Sequence, residues 1–152
     1  MQSRICNRNM TPLLLGTFGG LGAGAVLLLL SHIAPRFGAG AFVRDLDQVC
    51  VLGHDCSRRE AHFIGIALHL ALSLLFGAAY VYGVGEGVVS GFHPLPLTLY
   101  ALVLTIVMGG IVLPLEGHGL FGVKEDGWFP VDLLVTNLLW ALLFGLFMSV
   151  VV

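Results

Sequence analysis

Two histidines lie within one long apolar segment of the chain, "REAHFIGIALHLALSLLFGAAY", residues 59–80. A histidine can bind a metal ion, carry a proton or form structural hydrogen bonds, and an ionisable group within a membrane span is a functional candidate by default. His62 and His69 are seven positions apart, which is about 10.5 Å along a helix axis. A single ion would not readily bind both, so the spacing leaves all three roles open.

Further polar residues could meet these histidines, because helical bundles build internal sites from side chains on several helices. The candidate polar site within the membrane consists of His62, His69, Ser73, Glu116, His118 and Asp132. The nitrogen and oxygen donors that could hold a metal ion or haem are His62, His69, Glu116 and His118. Whether any metal or haem is bound stays open from the sequence.

The depth of His69 predicts its environment. It lies about eight residues into its helix, or roughly 12 Å from the helix start, and charging it there without a partner would cost on the order of a few kcal/mol. We therefore expect a neutral side chain that faces the bundle interior. Its candidate partners are Thr105, Thr136 and an ordered water near Ser73. For His62, closer to the surface, the candidate partners are Glu116, His118 and Asp132 at the mouth of a shallow cavity.

The stretch "DLDQVCVLGHDCSRRE" adds two cysteines, Cys50 and Cys56. Zinc sites normally show a tighter C-x-x-C pair and a second such pair, and this sequence has neither. A Cys50–Cys56 disulfide is compatible with the spacing but requires an oxidising compartment. Two free thiols are the alternative.

The composition indicates which kind of structural element holds these residues in place. Of 152 residues, 57% are hydrophobic and only 11% are charged, whereas roughly a quarter are charged in soluble domains. Apolar runs cover residues 12–33, 61–83, 95–115 and 129–152, and each meets the length of about 20 residues that a membrane helix needs. We predict an all-α integral membrane four-helix bundle, with residues 1–152 as a single transmembrane domain and 34–60 as an extramembrane loop.

Small residues mark the helix faces that should pack together. Gly16, Gly20 and Gly24 recur at four-residue intervals in the first helix, and such a face allows close backbone approach in lipid. In the second helix the corresponding stripe consists of Gly65, His69, Ser73 and Gly77. The glycine face predicts packing within the chain or an interface of a homo-oligomer. In the later helices, we expect Pro114 to kink or end the third helix, and Asp132, Thr136 and Trp140 to form a polar edge on the fourth.

The charges bear on topology and on partners. Two Lys or Arg residues precede the first apolar run, and five lie in the first and third connections. By the positive-inside rule these connections are cytoplasmic and the termini are not, although the N-terminal Arg4 and Arg8 argue the reverse. The net charge of −2 without a basic run gives no reason to expect a nucleic-acid partner.

Three stretches, "HLALSLLFGAAY", "LPLEGHGLFG" and "DGWFPVDLLVTNLLW", carry a resemblance over residues 60–145. This part of the chain resembles the YagU-like group of small bacterial inner-membrane proteins. The resemblance implies a helical bundle in a bacterial inner membrane and implies no reaction.

Three classes of function remain. The first is a non-enzymatic membrane component that packs with itself or with a membrane partner, and it needs only the glycine face and the surrounding lipid bilayer. The second is a small oligomeric transporter or proton-handling protein with the His69 stripe as its lining. The third is a metal- or haem-dependent membrane enzyme with the same stripe as its ligands. We expect the first.

Overall fold

A computed structural model describes residues 3–33, 50–51, 54–55, 57–115, 117–124 and 127–151. Four helices in it are long and apolar enough to cross a membrane: Pro12–Ile33, His62–Gly85, Pro94–Leu115 and Phe129–Val151. Their lengths of 22 to 24 residues and mean hydropathies of 2.0 to 2.2 agree with the four apolar runs. The predicted all-α four-helix bundle is therefore confirmed, and the protein is a membrane protein.

The first two spans belong to helices that extend beyond them. Helix α1 covers Ser3–Ile33 and contains Pro12, while α2 covers Arg58–Gly85. A capping box begins α2, because the Ser57 hydroxyl accepts from the Glu60 N–H and the Glu60 carboxylate accepts from the Ser57 N–H. The last residues of the predicted loop 34–60 thus form the first turn of α2.

The third span contains an irregular turn before Pro114. Helix α3 covers Pro94–Val107, a π-helical turn covers Met108–Val112, and α4 covers Leu113–Leu115. Proline has no N–H to donate, and its ring crowds the carbonyl four residues back, so a regular α-helix is disfavoured there. The π turn shifts the pattern, with the Leu113 N–H donating to the Met108 carbonyl. Pro114 therefore does not end the span, and it lies in α4 directly after the π-helical turn.

A 3₁₀ turn, Leu120–Gly122, then leads to α5, Phe129–Val151. Helix α1 packs against α2 and α5, and α5 packs against α3. Aromatic side chains close the bundle between α2 and α3, where the ring centroids of Tyr80 and Tyr100 are 5.0 Å apart. The hydrophobic core of the described residues consists of Ala23, Leu27, Tyr80, Val81, Leu97, Ala101, Leu104, Trp140, Ala141, Phe144 and Met148.

Between α1 and α2, two short strands are described. Strand β1, Cys50–Val51, pairs antiparallel with β2, His54–Asp55, with Cys50 opposite Asp55. Cys56 lies outside the described residues, so the Cys50–Cys56 disulfide stays a prediction. The single transmembrane domain over residues 1–152 also stays a prediction.

Candidate functional site

The α1–α2 contact is built on small residues, which we call the glycine seam: Gly16, Gly20, Gly24, Ser73 and Gly77. A Cβ atom on Gly20 would lie 2.9 Å from the Gly77 Cα, and one on Gly16 would lie 2.8 Å from the Gly77 carbonyl oxygen. Real Cβ atoms do not approach backbone so closely, so only glycine fits at these crossings. The glycine face was predicted to pack within the chain or to form a homo-oligomer interface. The described contacts show packing within the chain.

Gly65 does not belong to the glycine seam, although the sequence pattern placed it there. It is exposed, and a Cβ on it would meet nothing within 4 Å. Each four-residue step advances about 40° beyond a full helical turn. Between Gly65 and Gly77 the stripe has therefore rotated by about 120°, which turns Gly65 away from α1.

His69 lies at the edge of the glycine seam and faces α1. Its Nε2 is 3.2 Å from the carbonyl oxygen of Gly24. Because a carbonyl only accepts, Nε2 carries the proton and donates, which leaves the lone pair on Nδ1. His69 faces the bundle interior, as predicted. Its observed partner, the Gly24 carbonyl oxygen, was not among the predicted partners. The absence of a side chain on Gly24 leaves room for the imidazole beside that carbonyl.

The other polar groups expected near His69 have different neighbours. Ser73 is buried, with 4% of its surface exposed, and a Cβ on Gly24 would collide with its hydroxyl. Thr105 donates to the Ala101 carbonyl at 2.8 Å and accepts from the Asn137 amide at 3.1 Å. The remaining candidate, Thr136, donates to the Asp132 carbonyl at 2.8 Å. Each threonine hydroxyl thus donates within its own helix, α3 or α5, and the bond from Asn137 to Thr105 joins the two helices.

At the surface end of the glycine seam, His62 meets another histidine, His32. Their ring centroids are 5.8 Å apart, with the planes inclined at 68°. His32 belongs to the last turn of α1, so this contact joins the end of one helix to the start of the next. His32 was not among the predicted partners of His62, because only the register between α1 and α2 brings it opposite His62.

His118 lies in the turn that follows α4, and only 3% of its surface is exposed. Its backbone N–H donates to the Leu113 carbonyl at 3.0 Å, and its carbonyl accepts from the Lys124 N–H at 3.3 Å. Gly117 and Gly119 flank it with φ angles of +89° and +76°, a region that favours glycine. These bonds fold the turn around His118.

The predicted polar site as a whole stays a prediction, and its described members have the following neighbours. His69 and Ser73 lie at the glycine seam, His62 lies with His32, and His118 lies in the turn after α4. Glu116 is outside the described residues. Among the residues that are described, no group of three or more His, Cys, Asp or Glu side chains could hold one metal ion. His62, His69 and His118, the described members of the predicted metal set, therefore do not form such a group, and the full set with Glu116 stays a prediction.

An aromatic cluster that was not predicted from the sequence occupies the other half of the bundle. It consists of Tyr80, Phe92, Tyr100, Trp140 and Phe144. Trp140 is not part of a polar edge on α5 but stacks on Phe144, with centroids 5.1 Å apart and planes 7° apart. Its indole N–H meets no hydrogen-bond acceptor within the described part of the chain.

Both tyrosine hydroxyls of this cluster donate to backbone carbonyls. Tyr80 donates to Gly91 at 2.6 Å, in the connection between α2 and α3. Tyr100 of α3 donates to Phe76 of α2 at 2.9 Å. Each hydroxyl therefore joins separate parts of the fold, as does the His69 imidazole.

Comparison with known proteins finds no matching family model, no matching curated protein and no matching solved structure.

Proposed function

We propose that the protein is a non-enzymatic component of a membrane, and that it acts through association with another copy or with a membrane-protein partner. This proposal rests on the hydrogen bonds that polar side chains within the spans make to neighbouring helices. The His69 imidazole and the Tyr100 hydroxyl each donate to a backbone carbonyl of a neighbouring helix, and Asn137 donates to Thr105. Side chains engaged in this way hold helices together.

The location that we propose is a bacterial inner membrane. The apolar helices support insertion into a lipid bilayer, and the resemblance to the YagU-like group supports this particular membrane. The glycine seam is occupied by α1 and α2 themselves, so association would use the outward faces of the bundle. Those faces carry large apolar side chains, among them Phe18, Phe63, Leu99 and Phe147, which are 46% to 61% exposed.

Photo-crosslinking in cells tests this proposal. A benzophenone amino acid would replace one outward residue on each long helix in turn: Phe18, Phe63, Leu99 or Phe147. We expect discrete protein adducts from one or two of the four positions, since a specific partner covers only part of the surface. An adduct of twice the chain mass would identify a second copy. Phe144, which is fully buried, provides the control position without an external adduct.

Lipid adducts alone at all four positions would contradict association. Uniform protein adducts at all four would also contradict it, because they would indicate random collision in the membrane.

A second candidate function, proton handling, rests on a different observation. His32 and His62 lie at the surface end of the glycine seam, and His69 lies seven positions beyond His62 along α2. Together the three histidines form a row from one membrane surface toward the bundle interior. Imidazoles in such a row could pass a proton from one ring to the next.

Proteoliposomes that contain a pH-sensitive dye test this second function. The informative substitution is His69→Gln, because the glutamine amide can still donate to the Gly24 carbonyl but cannot titrate. Proton handling through His69 requires that this variant lose flux while it keeps its thermal stability. Equal flux for wild type, His69→Gln and empty liposomes would exclude the function.

A further inference from the structure

The ends of α1 and α2 place two imidazoles together, His32 and His62, which we call the histidine pair. His32 is exposed in the last turn of α1, and His62 is half-buried near the start of α2. Their ring centroids are 5.8 Å apart. His69 lies deeper, seven positions further along α2, and donates to the Gly24 carbonyl, so it does not belong to the histidine pair.

The hydrogen bonds of His32 assign its tautomer. Its Nδ1 lies 2.8 Å from the carbonyl oxygen of Leu28, one turn earlier in α1. A carbonyl oxygen cannot donate, so Nδ1 carries the proton and Nε2 keeps its lone pair. The neighbouring Ser31 hydroxyl donates to the same carbonyl at 2.7 Å. A histidine that donates one ring N–H to a carbonyl and presents the other nitrogen has the arrangement of a metal ligand.

The separation of the rings also fits a shared ion. With metal–nitrogen bonds of about 2.0 Å, two imidazoles on one tetrahedral ion have centroids about 5 Å apart. Small rotations of the two side chains would shorten the observed centroid distance of 5.8 Å to that value. The inclination of the rings, 68°, turns an edge of one toward the other and avoids face-to-face stacking.

We propose that His32 and His62 bind a divalent transition-metal ion of the zinc, nickel or copper class, with water in the remaining coordination positions. Imidazole suits these ions, whereas magnesium and calcium prefer oxygen ligands. The bound ion would join the C-terminal end of α1 to the N-terminal end of α2. This inference does not depend on the proposed function.

Copper provides the probe, because its electron spin resonance reports how many imidazole nitrogens are bound. The full chain, purified without a histidine tag and stripped with a chelator, would receive one equivalent of Cu²⁺. We expect pulsed electron spin resonance to show two coordinated imidazoles in the wild type. His32→Ala and His62→Ala should each show at most one imidazole. Each should also weaken Zn²⁺ binding, measured against a competing chelator, by about tenfold or more.

His93→Ala is the matched control, since His93 is exposed at the N-cap of α3, beyond the far end of α2. It should leave both the two-imidazole signal and the Zn²⁺ affinity unchanged. His32→Gln provides a second variant, and its unaltered circular dichroism would show that loss of metal is not loss of fold. A wild-type signal from fewer than two imidazoles, or an undiminished signal in His62→Ala, would overturn the proposal.

Discussion

Gly20 of α1 and Gly77 of α2 meet backbone to backbone. A Cβ on Gly20 would lie 2.9 Å from the Gly77 Cα, and one on Gly77 would lie 2.8 Å from the Gly20 Cα. Neither backbone can move away without separating the two helices. In a bilayer, where lipid tails are as apolar as the side chains, such close packing is a main source of helix association.

Gly20→Leu should therefore disrupt the α1–α2 contact. Overpacking a well-packed site typically costs about 1–3 kcal/mol, and the obstacle here is backbone, so we expect a loss at or above the upper end of that range. Unfolding in detergent, followed by circular dichroism, measures it.

Gly65→Leu is the control for that substitution, because it places the same side chain on α2 at a position with nothing within 4 Å. Because leucine favours a helix interior more than glycine does, this variant should be neutral or gain up to about 1 kcal/mol. Equal stability of the two variants would show that the glycine seam does not hold α1 against α2.

Gly20 and Gly65 also illustrate what the sequence could and could not predict. Length and hydropathy determine a membrane helix almost alone, so all four spans were predicted to within a few residues. Four-residue spacing predicted the close packing of Gly20, but the same spacing placed Gly65 on the wrong face. A four-residue pattern follows one face only for about two steps before the rotation of the helix carries it away.

Pairings between helices were harder to predict than the helices themselves. The orientation of His69 toward the interior followed from its depth in an apolar run, but its partner depended on the register of α1 against α2. A backbone carbonyl such as that of Gly24 exists at every position, so no residue type marks it in advance. Trp140 likewise was expected on a polar edge with Asp132 and Thr136, yet its ring system packs in the aromatic cluster.

His69→Leu should lower stability, because it removes the hydrogen bond to the Gly24 carbonyl. Hydrogen bonds between membrane helices contribute about 0.6 kcal/mol on average and up to about 1.7 kcal/mol, and the expected loss lies in that range. His69→Gln should recover part of it, since the amide can donate to the same carbonyl. Thermal unfolding of the three proteins side by side gives the ranking, and a leucine variant as stable as wild type would remove the structural role.

Tyr100→Phe isolates a hydrogen bond between α3 and α2. The hydroxyl donates to the Phe76 carbonyl at 2.9 Å, and the ring can stay in the aromatic cluster after the substitution. We expect a loss of about 0.5–1.5 kcal/mol. Tyr82→Phe removes a hydroxyl from a side chain that is 62% exposed, and this control should be close to neutral. A larger effect for Tyr82 than for Tyr100 would contradict the assignment.

The capping box of α2 predicts a dependence on pH. Hydrogen bonds from the Ser57 hydroxyl and backbone N–H hold the pKa of the exposed Glu60 carboxyl below its ordinary value of 4.5. A depressed pKa in the folded state means that the unfolded state binds the proton more tightly. The stabilisation is therefore fully present above about pH 4.5 and is lost as the pH falls through the lower pKa of the folded state.

Glu60→Gln tests this dependence, since glutamine keeps the size of the side chain and does not titrate. The difference in melting temperature between wild type and variant should shrink as the pH is lowered from 6 to 3. A difference that stays constant over this range would mean that the Glu60 charge contributes nothing to the start of α2.

The basic residues of the chain predict how the bundle is oriented in its membrane. Two Lys or Arg residues precede the first span, whereas five lie in the first and third connections. The positive-inside rule then places both connections in the cytoplasm and both termini outside it. A phosphatase that is active only outside the cytoplasm should be active when fused after the fourth span and inactive when fused after Lys124, between the third and fourth. The reverse pattern would show that Arg4 and Arg8 determine the orientation. It would also expose Cys50 and Cys56 to an oxidising compartment, where a disulfide between them could form.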